Sequence, residues 1–278
     1  MKDEITSALN SISTDVVVKD GDYIGEDGLL HCGKCHGSKQ IVTNIGGRRR
    51  VLPMLCECGT EERNKREEVF RQRQLEQQRE RFRRDCFVSK EMYDYTFANE
   101  VFEDEKISTA MHNFVDKWDE VKKENCGLLL YGSVGSGKTY YAACIANALI
   151  DRNIPALMTN FATISRDVNS MYEGKSEYIS SVINYPLLIL DDLGAERSSD
   201  YMLEQVFSVI DWRYQVRKPL ILTTNLPIEQ IKNPDNLRYK RIYDRILEMC
   251  LPVEFRGVSR RKNKVVSEYD KRKSLLGL

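Results

Sequence analysis

The sequence predicts an α/β chain: a mostly parallel sheet flanked by helices, preceded by a small N-terminal module and a charged helical linker. Three observations carry this reading. A short apolar run, a glycine-rich turn and a helical stretch follow one another from Gly127 to Ile150. Later apolar runs end in polar residues and alternate with helical stretches, as strands of a parallel sheet do. Four cysteines stand in two close pairs near the start of the chain.

At 278 residues there is room for one large domain and a small module. Lysine plus arginine number 42 and aspartate plus glutamate 42, so no global basic field points to nucleic acid, and any such binding must come from a local patch. No apolar run approaches the roughly 20 residues of a membrane span. Met1-Lys-Asp-Glu-Ile lacks the apolar core of a signal peptide, so the expected location is the cytoplasm, with no membrane partner. Eight cysteines there are expected as thiols or metal ligands rather than disulfides.

Residues 1–30 show a weak apolar pattern (Ile5, Leu9, Ile12, Val16, Val17, Val18) and then a Gly/Asp-rich turn region. Cys32 and Cys35 then form a C-x-x-C knuckle, and Cys56 and Cys58 a C-x-C that closes a four-sulfur shell. Between them two strand-like runs flank Gly46-Gly47, which reads as a hairpin. Knuckle, hairpin, knuckle is the logic of a zinc ribbon. Zn²⁺ with four protein ligands has no open position, so its expected role is structural. The C-x-C departs from the usual C-x-x-C, and His31 or His36 would substitute if one cysteine were not used. This places a zinc-binding module at 1–59.

From Thr60 to Arg84 the chain is nearly all Glu, Arg, Gln and Lys, with Val69, Phe70, Leu75 and Phe82 as its apolar residues. That composition favours an exposed helix laced with i,i+4 pairs, a linker over 60–88. The third region, 89–278, is globular. Its aromatic stretch Met92-Tyr-Asp-Tyr-Thr96-Phe97 is placed to lie against a nucleotide base, and Lys106 to Glu124 has helical spacing with Ile107, Met111, Phe114 and Trp118 as core.

The run Gly132-Ser133-Val134-Gly135-Ser136-Gly137-Lys138-Thr139 fills every fixed position of G-x-x-x-x-G-K-[ST], with Tyr140 opening the helix. The glycines allow a tight turn whose N–H groups face inward at phosphates. Lys138 reaches the β- and γ-phosphates of a nucleoside triphosphate and Thr139 offers a hydroxyl to Mg²⁺. Ile154 to Asn160 reads as a second strand, and Phe161 to Ile183 as helix with a break over Met171–Lys175.

Next, Leu187-Leu-Ile-Leu190 delivers Asp191 and Asp192 to the carboxyl edge of the sheet beside the glycine-rich loop. Asp191 is predicted to hold Mg²⁺, directly or through water, and Asp192 to polarise the attacking water. Ser199 to Arg217 is an amphipathic helix (Leu203, Val206, Phe207, Ile210, Trp212). Pro219 to Pro227 gives a strand whose polar tip puts Asn225 beside the acids. A basic helix (Arg238 to Met249), a strand (Leu251 to Phe255), a basic turn (Ser259 to Lys262) and a polar tail follow.

Asp191-Asp192-Leu-Gly-Ala-Glu196-Arg, Thr223-Thr-Asn225-Leu-Pro227 and Arg241-Ile-Tyr-Asp244-Arg245-Ile resemble the AAA+ ATPases of the DnaC/IstB family, over about residues 90–265. The resemblance implies a P-loop NTPase with ATP at a subunit edge and self-assembly through the ATPase domain. Asn225 matches the polar sensor of the γ-phosphate, and Arg245 the arginine finger offered to a neighbouring subunit. Arg261 matches the second sensor arginine, with Arg260 as competitor because Gly257-Val-Ser-Arg-Arg departs from Gly-x-Ser-Tyr-Arg. The function implied is ATP-dependent loading of a replicative helicase of the DnaB type onto single-stranded DNA. The alternative is an IstB-type helper of transposition that binds duplex DNA. For single-strand contacts, Phe161, Arg166, Tyr172 and Lys175 are the candidates.

Overall fold

The computed structural model describes residues 18–100, 104–194, 200–234, 236–256 and 273–276, without the side chains of 200–203. Two compact units, Met1–Glu76 and Gln77–Leu278, divide inside a helix.

In the first unit β1 (Tyr23–Ile24) and β2 (Leu30–His31) make a small antiparallel pair, within the stretch that the sequence left as turns. β3 (Gln40–Ile45) and β4 (Arg48–Pro53) form the predicted hairpin, paired from Gln40↔Pro53 to Ile45↔Arg48. Its two-residue turn is Gly46-Gly47, both at positive φ (59° and 76°), the I′ geometry that matches strand twist and that side chains resist. Helix α1 runs from Glu57 to Cys86, three residues earlier than the predicted linker. Arg66–Glu62, Arg63–Glu67 and Arg71–Glu68 pair along its surface, as i,i+4 and i,i+3 spacing predicts.

In the second unit the C-terminal turns of α1 are not a linker. Cys86 is buried, and Phe82 and Phe87 pack into the same core as Met111, Phe114 and Trp118. The latter three lie on α2 (Glu105–Asp116) and at the start of α3 (Trp118–Lys123), so the helical spacing there did mark core. A five-stranded parallel sheet follows, in the order β6-β7-β8-β5-β9. The strands are β5 (Gly127–Gly132), β6 (Ala156–Thr159), β7 (Leu187–Leu193), β8 (Leu220–Thr224) and β9 (Cys250–Phe255). Leu128–Leu130, Leu187–Leu190 and Leu220–Leu222 are almost wholly buried, as continuous apolar runs of a sheet covered on both faces should be. The covering helices are α4 (Lys138–Asp151), α5 (Phe161–Ser170), α6 (Lys175–Ile183), α7 (Asp200–Val216), α8 (Ile228–Lys232) and α9 (Leu237–Met249). No described helix is long and apolar enough to cross a membrane.

Two side chains depart from the sequence reading. Trp212, expected on the apolar face of α7, is 38% exposed, while Arg213 next to it is fully buried. Its guanidinium donates to the carbonyls of Ile183 (2.5 Å), Tyr185 (2.7 Å), Pro186 (3.1 Å) and Pro219. Arg213 thereby ties the entrances of β7 and β8 to α7. Burial pushes its pKa down to about 9, which leaves it a cation at neutral pH. Phe161, offered above as a DNA contact, is 2% exposed and packs with Ile164 and Val168; that candidate is withdrawn. Arg166 (beside Asp167), Tyr172 and Lys175 are exposed. Residues 1–17, Glu196, Arg197 and the basic turn with Arg260 and Arg261 lie outside the described residues.

Candidate nucleotide and metal sites

The glycine-rich loop joins β5 to α4 at the carboxyl edge of the sheet, where ligands of open α/β sheets bind. Gly132, Gly135 and Gly137 all have positive φ (136°, 80° and 101°). At Gly132 space is a second constraint: a Cβ there would stand 2.3 Å from the carbonyl oxygen of Phe255 on β9. Lys138, 6% exposed, donates to the carbonyls of Gly132 (2.9 Å) and Ser133 (2.8 Å) and to Oδ1 of Asn225 (2.8 Å). Ser136 is buried 3.5 Å from the same ammonium. Val134 is exposed at the loop tip.

β7 is not the neighbour of β5; β8 lies between them. The acids still reach the loop because the β7–β8 ladder is irregular. Leu190 pairs with Leu222 and Leu193 with Thr224, so Asp191 and Asp192 together oppose Thr223 alone. This is a β-bulge, and Asp192 sits in it at φ 62°. Consecutive residues of a regular strand face opposite sides, which would part the two carboxylates. The left-handed residue breaks that alternation.

As a result Asp191 Oδ1 accepts from Thr139 Oγ1 (3.0 Å) and from Thr223 Oγ1 (2.6 Å). The Asp192 N–H donates to Thr223 Oγ1 (2.9 Å), and Asp192 Oδ1 accepts from Asn225 Nδ2 (2.9 Å). Asn225 therefore bridges Lys138 and Asp192. Thr223, to which the sequence reading gave no role, fixes both acids through one hydroxyl. Its signal was a polar residue interrupting an otherwise apolar run one step before the strand tip. Adjacent ligands of an octahedral Mg²⁺ at about 2.1 Å lie roughly 3.0 Å apart. The Thr139–Asp191 spacing of 3.0 Å fits that edge.

The aromatic segment expected near the base forms two short 3₁₀ turns, Lys90–Asp94 and Phe97–Asn99, against α4. Tyr95 lies 5.1 Å from Tyr140, whose hydroxyl donates to the Thr96 carbonyl (2.9 Å). Asn147 donates to the carbonyls of Met92 and Tyr95, both at 2.9 Å. The segment is thus anchored along the helix that begins at the phosphate loop.

Arg245, on α9, is 2.7 Å from Asp211 on α7, and its guanidinium lies 4.7 Å over the Phe207 ring.

In the first unit the sulfurs of Cys32, Cys35, Cys56 and Cys58 all lie within 4.8 Å of one another. Cys58 is 3.5 Å from both Cys32 and Cys56. Sulfurs bound tetrahedrally at about 2.3 Å stand roughly 3.8 Å apart, so the set fits Zn²⁺. Backbone N–H groups of Cys35 and Lys34 hold the Cys32 thiol down at about 6, toward the thiolate a metal needs. The C-x-C departure has a structural reason: Cys58 belongs to the first turn of α1, so the helix start places the fourth sulfur, whose thiol the three neighbouring sulfurs and burial push up to about 12 while no metal shares the site. His31 is engaged at both ring nitrogens, by the His36 carbonyl and by Asp27, and His36 meets the Tyr23 hydroxyl at 3.2 Å. Neither histidine joins the sulfur cluster. All eight cysteines are free of disulfides.

A replicative helicase loader, DnaI of Bacillus subtilis (strain 168), is 24% identical over 206 residues, 68% of this chain and 66% of its own, so just under two thirds of that relative is spanned. The replicative helicase loader DnaC of Escherichia coli (strain K12) is 26% identical over 63% of this chain and 72% of its own. A crystal structure of DnaI superposes with a TM-score of 0.54 at 27% identity, covering 63% of this chain and 95% of that one. The AAA+ resemblance and the sheet flanked by helices both hold. The model of the IstB-like ATP binding proteins matches residues 47–267. The chain belongs to that family.

Proposed function

We propose that this chain hydrolyses ATP and uses the cycle to bind a replicative helicase and load it onto single-stranded DNA. The observation that supports the ATP half is the closed network Lys138–Asn225–Asp192 beside the Thr139–Asp191 pair. Support for the helicase half is the likeness to two proteins named replicative helicase loaders.

In this reading Lys138 and the inward N–H groups of Gly132 to Tyr140 bind the triphosphate, and Thr139 and Asp191 hold Mg²⁺, which neutralises phosphate charge when bound. Asp192 orients and deprotonates the attacking water. Asn225 touches both Lys138 and Asp192, so it can report the γ-phosphate to the base. Arg245 serves a neighbour's nucleotide in an assembly and exchanges Asp211 for phosphate; Arg261 is the second sensor. Tyr172 and Lys175 remain the candidates for single-strand contact.

For the first unit we propose a structural zinc site. Elemental analysis of protein purified without chelator should give about one zinc per chain, and Cys58→Ser should bind it at least 10-fold more weakly. Full zinc retention by that variant would dismiss the four-sulfur site.

The helicase is tested by co-purification with the host's replicative helicase, in ATP and in ADP. Full-length protein is compared with a chain starting at Gln77, because Phe82, Cys86 and Phe87 belong to the second core. A complex in ATP that weakens in ADP is expected. One other reading stands beside it, the IstB-type transposition helper, because the matching family is that of IstB-like ATP binding proteins. No helicase in either state, with ATP-dependent retention on duplex DNA, would establish that reading instead.

A further inference from the structure

We propose that the β3–β4 ribbon is a DNA-binding site of its own, whose arginine tip enters the groove of a duplex. The charge distribution is the first argument. From Gly28 to Cys56 the chain carries Lys34, Lys39, Arg48, Arg49 and Arg50 and no Asp or Glu, in a protein whose total charge is zero. Lys39 is committed to the buried carboxylate of Asp22. Arg48, Arg49 and Arg50 are exposed, and among the described residues none has an ion-pair partner. The arginines of α1 at positions 63, 66 and 71 behave otherwise, each beside a glutamate.

Geometry identifies the partner. Successive strand residues point to opposite faces, so Arg48 and Arg50 lie on one face of the ribbon and Arg49 on the other. A flat acidic protein surface would be met by one face. A tip that is basic on both faces matches a groove with phosphates along both walls. The two-residue turn keeps the tip narrow, and a major groove about 12 Å wide admits a two-stranded ribbon. Residues 40–53 contain no aromatic side chain, so there is no platform on which single-stranded bases could stack. Pro53 to Arg48 spans five strand steps, about 17 Å. For Arg48 that exceeds the roughly 8–10 Å over which the negative charge of a metal–thiolate cluster would be felt, and Arg50, three steps out at about 10 Å, stands at its limit.

The inference uses no residue of the nucleotide site and holds for either reading of the function. It is tested on the full-length protein without nucleotide. Anisotropy titrations of a mixed-sequence 24-base-pair duplex and of its single strand are run from 50 to 200 mM salt. Wild type is compared with Arg49→Ala, with Arg48→Ala/Arg50→Ala and with the triple variant. Each face should contribute. The triple variant should bind duplex roughly 10-fold or more weakly at 50 mM, with a log–log salt slope shallower by about 2–3, as loss of three phosphate contacts requires. Its zinc content and ATP binding should be unchanged. An unaltered slope places duplex contacts elsewhere and ends the proposal. Loss confined to one face, or to the single strand, overturns the groove geometry. Unaltered DNA binding with lost helicase co-purification would make the ribbon a protein-docking surface, and again the proposal fails. Failure of the loader reading shows separately, as wild-type protein that retains no helicase.

Discussion

Asp192→Asn should bind ATP with near wild-type affinity and hydrolyse it about 10²- to 10⁴-fold more slowly, the range expected when a positioned base is removed. The substitution is selective for structural reasons. Asparagine tolerates the left-handed backbone that Asp192 adopts at φ 62°, so the bulge survives. Its amide oxygen can still accept from Asn225, and the backbone N–H still donates to Thr223. What disappears is the negative charge that makes a water nucleophilic. Lys138→Ala is expected to fail earlier, at binding. A charged group making hydrogen bonds to two phosphates contributes about 1.5–3 kcal/mol per bond, so its loss weakens ATP roughly 100-fold or more. Arg245→Ala should bind ATP normally and lose only the turnover that rises with protein concentration, since its proposed target belongs to a neighbour. Isothermal titration of ATP with single-turnover phosphate release separates the three. Equal hydrolysis by Asp192→Asn and wild type would remove the water-activating role.

Much of this site was legible in the residues because phosphate binding fixes both type and spacing. A loop that aims N–H groups inward needs Gly132, Gly135 and Gly137 where they stand. The Gly46-Gly47 turn and the four cysteines were legible for the same reason: each demands a residue type that little else demands. Three features were hidden. Strand order is not written in any one strand, so β8 between β5 and β7 could not be read from Asp191 and its neighbours. The bulge depends on a backbone angle at Asp192 that aspartate permits without announcing. The third is Arg213. Helical period placed it inside, since Val206, Val209, Ile210 and Arg213 form one stripe of α7. Residue type argued the other way, and the neighbouring Trp212 took its place in the expected core. Phe161 shows the same lesson in reverse: Phe161, Ile164 and Val168 share a buried stripe, and period outweighed any aromatic role at the surface.

That stripe carries the second large expectation. Arg213→Met should destabilise the Gln77–Leu278 unit by about 3–5 kcal/mol, a large part of the 5–15 kcal/mol typical of a domain. Two effects compete. Methionine keeps the packing stem and removes a cation whose burial is unfavourable, which by itself would stabilise the fold; buried ion pairs replaced whole by apolar residues often do so. Here the partners cannot be replaced with it. The carbonyls of Ile183, Tyr185, Pro186 and Pro219 belong to the main chain and would remain without this donor at the entrances of β7 and β8. Each buried acceptor left unsatisfied costs about 1–3 kcal/mol, so the loss should exceed the gain. Arg213→Lys should recover only part, because a single ammonium cannot fork across carbonyls from separate segments. Both tryptophans, Trp118 and Trp212, lie in this unit, so their fluorescence during urea unfolding reports it alone. A midpoint lowered at constant slope, with a melting temperature down by roughly 10 °C, is the expected result. A methionine variant within about 1 kcal/mol of wild type would show that water or a small backbone shift satisfies those carbonyls, and that the guanidinium clamp is not what holds β7 and β8 to α7.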